Sequence, residues 1–241
     1  MAIYTSKTRI DLEDVGYSNK ITNKAILKIL ENAGARQSET IHFGLNDMEN
    51  VGFSWILLGW KVKISKRPIY NEELTINTWG RDSNRIFTYR DYEIYDESGE
   101  LCAIATSKWA IVDINTGKLR ELTPEIIEKY QCETKKVFEE DYTLKLKEPV
   151  TIIRKQEYKA QRRDIDINKH IHNLYYLDYA YEVLPEEVYE APECNNIEIM
   201  YKKQIRLNDE FKCLYTKEEN QNIVTMKSED ETTLHAIIKL Y

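Results

Sequence analysis

Residues 172–185 read HNLYYLDYAYEVLP, and the fold turns on what this stretch is and what surrounds it. Leu174, Leu177, Tyr181 and Leu184 recur at helical spacing, and Pro185, which has no backbone N–H, stops the pattern. An amphipathic helix is predicted here. Before it, VTIIRKQEYKA (150–160) has strand character. After it, NIEIMYKKQI (196–205), EFKCLYT (210–216), NIVTMKS (222–228) and TLHAIIKLY (233–241) read as four strands, the last three at hairpin spacing.

The same order occurs once more, nearer the N-terminus. AIYTSKTRI (2–10) is strand-like, and TNKAILKILENAGA (22–35) is helical, with Thr22 as N-cap and Gly34 closing it. Four strand-like runs follow: FSWILLGWKVKI, ELTINTWG, RIFTYRDYEIYD and LCAIATSKWAIVDI, with the turn signal DESGE between the last two. A short helix, TPEIIEKY, starts on Pro124, and the charged stretch from Gln131 to Pro149 reads as a linker. Strand, helix and a four-strand antiparallel run thus occur twice. Duplication of one α+β unit explains this, with repeats at 1–140 and 141–241, each an antiparallel sheet wrapped around its helix.

Bulk properties narrow the function classes. With 42% hydrophobic and 31% charged residues the chain reads as a soluble globular protein, and a net charge of −7 argues against nucleic acid as main partner. No apolar run approaches the ~18 residues of a membrane span. The N-terminus has neither a signal-peptide core nor a transit composition. Cys102, Cys132, Cys194 and Cys213 show no CxxC spacing, so no zinc site or disulfide framework is expected; reduced thiols in a cytoplasmic protein are. No phosphate-binding loop, metal-ligand spacing or GxSxG elbow occurs, so neither a cofactor nor a metal is expected.

The segment leading into the helix at 172 carries the candidate chemistry. RRDIDINKHIHN (162–173) sets Asp166, Asn168 and His170 at i, i+2 and i+4. In an extended or turning segment these three share a side, while Ile165 and Ile167 turn inward. A carboxylate, an amide and an imidazole would then stand at a helix N-terminus, whose free amides suit a carbonyl oxygen becoming an oxyanion. Aspartate and asparagine also cap helices without any catalysis, so the spacing alone leaves both roles open.

The run Asp164–Asn173 resembles the D-x-D-x-N-x-H-x-x-N signature of the plant and bacterial acyl-acyl carrier protein thioesterases. GLNDMENVGFSWILLGWKVKI, RPIYNEELTINTWG and SKWAIVDINTGKL resemble that family's N-terminal repeat. The resemblance implies two tandem hotdog folds, the first holding an acyl chain and the second the reacting groups, and hydrolysis of fatty acyl thioesters by water. It implies that Asp166 orients its neighbours, that Asn168 bonds the thioester carbonyl or the water, and that His170 relays a proton or stabilises the intermediate. Asp164, His172 and Asn173 would hold the helix entrance. The lack of a transit segment suits a bacterial member.

A second landmark of that family is a strand ending in Glu followed by Cys or Ile. Here the strand reads Met200-Tyr201-Lys202-Lys203-Gln204-Ile205, so Ile205 offers no nucleophile and Gln204 stands where a Glu is expected. An amide positions water but takes no proton at neutral pH. Asp166 and His170 are then the expected proton carriers, or a carboxylate on the same face such as Glu198 substitutes. The partner implied is an acidic acyl carrier protein, docking on Arg162, Arg163, Lys169, Lys202 and Lys203, with Lys61, Lys63, Lys66 and Arg67 as a second basic cluster. Monomer and homodimer both remain open. The rival readings are a non-catalytic acyl-carrier or acyl-CoA binding protein, and an acyl-CoA thioesterase or hydratase.

Overall fold

A computed structural model, describing residues 3–81, 84–139, 145–189 and 194–241, divides the chain into two units, Met1–Tyr142 and Thr143–Tyr241. In the first, β1 (Tyr4–Arg9) leads to α1 (Asn23–Thr40), a single-turn α2 (Met48–Val51), and β2 (Phe53–Ile64), β3 (Glu73–Gly80), β4 (Thr88–Tyr95) and β5 (Leu101–Asp113). A short β6 (Leu119–Arg120) pairs with β5, and α3 (Pro124–Tyr130) follows. Hydrogen-bonded order in this sheet is β1-β3-β4-β5-β2, antiparallel throughout.

The second unit repeats that plan. After β7 (Arg154–Lys159) come α4 (Tyr175–Val183), a single-turn α5 (Glu186–Tyr189), and β8 (Asn196–Tyr201), β9 (Glu210–Glu218), β10 (Gln221–Ser228) and β11 (Leu234–Leu240). Their order is β7-β9-β10-β11-β8, again antiparallel. Replacing each strand by its place within the repeat gives the same sequence of neighbours in both units, as duplication requires.

In each unit the helix buries its apolar stripe on the sheet. Ile26, Leu27 and Leu30 of α1 are buried with Trp60, Trp79 and Tyr92 in the first core. Leu177, Ala180 and Val183 of α4 are buried with Phe211, Met226 and Ile237 in the second. Thr22 caps α1 as predicted, its hydroxyl accepting the Ala25 N–H at 3.1 Å.

Gly34 does not close α1, which runs on to Thr40. The glycine serves a close approach instead: a Cβ there would lie 3.0 Å from Tyr92 Oη and 3.1 Å from Arg90 Cδ. The early part of the predicted linker is also committed. Gln131 ends α3 in a left-handed conformation, the Lys135 carbonyl accepts from Trp79 Nε1 at 2.9 Å, and Val137 N–H donates to Asp91 at 3.0 Å. The residues thus tie to β3 and β4 because those strands carry polar groups that need partners. The repeat boundary expected at 140/141 lies within 140–144, outside the described residues.

Candidate active site

Asp164 builds the platform on which the candidate residues stand. Its buried carboxylate accepts the Gln161 N–H at 2.8 Å and the Tyr179 hydroxyl at 2.6 Å, tying the turn to α4. Its carbonyl takes the His172 N–H at 2.8 Å. A narrow loop follows, with Ile165 and Ile171 bridged and Asp166 N–H donating to the His170 carbonyl at 2.8 Å. Lys169 takes positive φ (64°) at its tip. The side chain of Asp166 then folds into the loop, accepting the Asn168 N–H at 2.8 Å and the His170 N–H at 3.3 Å. This is an Asx-type turn, in which the carboxylate substitutes for a backbone acceptor.

Gln204 is brought to this loop from β8's far end. The strand stops at Tyr201, so the predicted strand through Ile205 is shorter than expected, and Lys202–Ile205 form a connection. Its ladder is broken because Lys202 and Lys203 N–H both turn to the His235 carbonyl (2.8 and 3.3 Å). The Ile205 carbonyl then accepts from Ile171 N–H at 2.8 Å, its N–H donates to buried Tyr176 Oη at 3.2 Å, and His170 bridges Arg206. That clamp sets Gln204 Nε2 3.0 Å from His170 Nε2.

An amide nitrogen only donates, so His170 Nε2 is the acceptor and its ring proton sits on Nδ1. Burial pushes His170 below its ordinary value; the Asp166 charge opposes this, Arg206 adds to it and Asp209 opposes it. The imidazole is neutral at pH 7. Asp166, Asn168, His170 and Gln204 are therefore one cluster, with Asn168 and Gln204 exposed.

Three expectations are corrected. Ile167 does not turn inward; it is 63% exposed, because the loop is too tight to bury both isoleucines. Glu198 does not substitute for the missing Glu: it accepts the Tyr241 hydroxyl at 3.0 Å, toward the opposite end of β8. The amides at the entrance to α4 are not all free either. Leu174 N–H donates to His172 Nδ1 at 3.2 Å and Tyr175 N–H to the His172 carbonyl at 2.9 Å. Cys213 is fully buried, and burial pushes its thiol well above the ordinary range, so it is inert.

The five cations predicted to dock a partner are all exposed: Arg162 and Arg163 in the turn before Asp164, Lys169 at the loop tip, Lys202 and Lys203 after β8. In the other basic cluster Lys66 binds Asp96 (2.6 Å) and Glu100 (2.5 Å), and Arg67 donates to the Ile21 carbonyl (2.9 Å) and Asn23 Oδ1 (2.6 Å).

Unit one holds the same loop with different side chains. Asp14 accepts the Asp11 N–H, Val15 bridges Ile21, Thr22 N–H donates to the Asp14 carbonyl, and Asn19 takes positive φ. Lys20 bridges Ile69 as His170 bridges Arg206, and Ile21 N–H donates to Pro68 as Ile171 does to Ile205. Position by position, Gly16 stands for Asp166, Ser18 for Asn168, Lys20 for His170 and Arg67 for Gln204. The backbone device is duplicated; the carboxylate, amide and imidazole side chains are in one copy.

Sequence reasoning missed three residues of the surroundings. Tyr176 holds the Gln204 connection, Asp209 accepts the Arg206 N–H at 2.8 Å and raises His170, and His235 anchors Lys202–Lys203. Tyr176 and His235 are single residues inside ordinary helix and strand patterns and Asp209 sits in the turn before β9, and only tertiary packing brings them to the site.

Two sheets of this order, each with a helix on its face, define a tandem hotdog protein with a carboxylate, amide and imidazole cluster in its second unit. The chain superposes on the crystal structure of an acyl-ACP thioesterase from Bacteroides thetaiotaomicron over 99% of its length and 97% of the other's, with TM-score 0.86 and 23% identity. On a 12:0-ACP thioesterase from Umbellularia californica the coverage is 100% and 96%, TM-score 0.88 and identity 16%. The family model for the acyl-ACP thioesterase N-terminal domain matches residues 1–130, and that for the C-terminal domain residues 147–239. The chain belongs to the acyl-ACP thioesterase family. It is 25% identical over 238 residues to oleoyl-acyl carrier protein thioesterase 2 of Arabidopsis thaliana, covering 92% of this chain and 65% of that relative.

Proposed function

We propose that this chain hydrolyses fatty acyl thioesters carried on acyl carrier protein, by direct attack of water and without a covalent intermediate. The observation that carries this reading is the His170–Gln204 contact at 3.0 Å: a neutral imidazole and an amide held together at one of two equivalent loops. Gln204 positions the water, Asn168 donates to the carbonyl oxygen, and Asp166 shapes the loop while favouring positive charge on His170. Asp166 already accepts two loop N–H groups, so an imidazole rather than a carboxylate takes the proton. The first unit, with its apolar core and no reacting groups, holds the acyl chain.

For the carrier, we propose docking on Arg162, Arg163, Lys169, Lys202 and Lys203. Their counterparts in the first unit are Leu12, Glu13, Asn19, Ser65 and Lys66, and only Lys66 is a cation, bound by Asp96 and Glu100. A merely solvated strand face would not concentrate cations around one copy of the loop; an acidic partner at that copy explains it. The compartment proposed is a bacterial cytoplasm, in keeping with four free cysteines.

Gln204 in place of a Glu favours one other reading, a binding protein that retains acyl-carrier protein and does not cleave it. Incubation with octanoyl- and palmitoyl-acyl carrier protein and the CoA esters, with a chromogenic thiol reagent, separates the two. Thiol release faster on carrier protein than on CoA is expected; binding without release favours the second reading.

A further inference from the structure

A second histidine lines the cleft that Gln204 lines, and its chemistry is set by its backbone neighbours. His235 is the second residue of β11, is 6% exposed, and its Nδ1 lies 2.8 Å from the Lys203 carbonyl. A carbonyl only accepts, so the ring proton is on Nδ1 and Nε2 carries the lone pair. Among the described residues Nε2 has no partner. His235 lines an open cleft of about 680 Å³ together with Lys203, Gln204, Arg206 and Asp209.

Gln204 is also only half used. Its Nε2 donates to His170, while its Oε1 has no partner among the described residues. The imidazole that Gln204 bonds and the one that shares its cleft therefore differ. His170 Nε2 is occupied by the amide; His235 Nε2 is open. Both acceptors belong to residues of one cleft, where a water between them would donate one hydrogen to Gln204 Oε1 and the other to His235 Nε2.

The internal duplication gives independent support. Ser65 and Lys66 N–H donate to the Cys102 carbonyl (2.8 and 3.1 Å) as Lys202 and Lys203 do to His235, so Cys102 is the counterpart of His235. Positions that shape the backbone keep their kind between units: Asp14 and Asp164, Asn71 and Asn208, Glu72 and Asp209. Positions bearing the proposed chemistry do not. Gly16, Ser18, Lys20 and Arg67 replace Asp166, Asn168, His170 and Gln204, and Cys102 replacing His235 puts it with the second set.

We propose that His235 is a catalytic residue of this site, the acceptor of the proton from the attacking water, with His170 positioning Gln204. The inference rests on the hydrolytic reading above. The water oxygen bonds to the thioester carbonyl carbon as its proton passes to His235 Nε2. When the adduct collapses, the C–S bond breaks and that proton goes to the departing sulfur, leaving a free acid, a thiol and neutral His235. Burial keeps His235 below its ordinary value, the Lys203 charge adding to this and the Lys203 carbonyl and Asp209 opposing it; Arg206, Glu210, Glu229 and Asp230 also line the cleft.

The test is His235→Asn assayed on octanoyl-acyl carrier protein. Asparagine keeps a donor for the Lys203 carbonyl and has nothing at the Nε2 position. The expected result is a fall in kcat of about 100-fold or more, with KM within about threefold and Tm near wild type. In His235→Ala, added imidazole should restore part of the lost rate. A kcat for His235→Asn within about threefold of wild type, or no imidazole rescue of the alanine variant, overturns the proposal. If the asparagine variant does not fold, ¹⁵N NMR of the wild-type histidines decides: Nε2 of His235 unprotonated at pH 7 and shifted by a non-hydrolysable acyl-carrier analogue supports it, and a protonated or unmoved Nε2 overturns it. A wild type that cleaves no thioester fails earlier and overturns the hydrolytic reading itself.

Discussion

Gln204 Nε2 and His170 Nε2 lie 3.0 Å apart, joined by an amide N–H that only a neutral imidazole can accept. The pair is held by main-chain bonds on both sides, Ile171 to Ile205 and Ile205 to Tyr176 Oη, so it is a fixed feature of the second unit. A carboxylate at 204 would make the same contact with an imidazolium, reversing the charge state of the site.

Gln204→Glu tests that difference. With a proton acceptor already present, the rate on octanoyl- and palmitoyl-acyl carrier protein at pH 7 should stay within about threefold of wild type. The carboxylate should also stabilise the His170 cation and carry the acid limb of the pH–rate profile upward. A rise of about tenfold or more would mean that the natural site lacks a working base.

Asp166 separates loop shape from charge. Asp166→Asn keeps an acceptor for the Asn168 and His170 N–H groups, so the loop persists and kcat should fall by about tenfold or less. Asp166→Ala removes the acceptor and should cost about 100-fold by misplacing His170. Equal losses in the two variants, measured by steady-state thiol release, would assign the effect to charge alone.

The docking surface predicts a split between substrates. Arg162→Glu with Arg163→Glu should raise KM for octanoyl-acyl carrier protein by about tenfold or more, increasingly at low salt, and leave a small thioester unaffected. Equal effects on both substrates would remove the docking assignment.

Protonation of the histidines should be visible in stability. His170 and His235 both titrate below their ordinary value of 6.5 because burial disfavours the charged form. The unfolded chain therefore takes up protons first as pH falls, and their contribution is present above about pH 6.5 and lost below it. Tm should drop between pH 7 and pH 5, and drop less in His170→Gln with His235→Asn; identical slopes for variant and wild type would refute the shifts.

Gly34 predicts a helix that rejects its best helix former. Alanine gains about 1 kcal/mol in helix propensity. Its Cβ, however, would press on Tyr92 Oη, which is fixed by Ser107 (3.2 Å), and on Arg90, which bonds Gln37 and Thr78. Overpacking of this kind costs about 1–3 kcal/mol, so Gly34→Ala should be less stable in urea than wild type.

The order of elements can be read from the residues alone, because strand alternation and helical spacing are local properties. Thr22 as a cap, Pro124 in a first turn and the twofold recurrence of strand, helix and four strands were all legible there. The sequence also singled out Asp166, Asn168 and His170, since a two-residue spacing within one turn survives folding.

What these groups touch follows from the folded chain. That Asp166 is turned into its own loop, that Ile167 faces out, and that His172 takes the Leu174 and Tyr175 amides depend on the closing of a turn, which spacing does not specify. The His170–Gln204 contact joins residues 34 apart, and the anchoring of Lys203 by His235 joins residues 32 apart. Both arise because β8 leaves its ladder at Tyr201 and β11 lies beside it, a pairing set by the burial of whole sheet faces rather than by any local pattern.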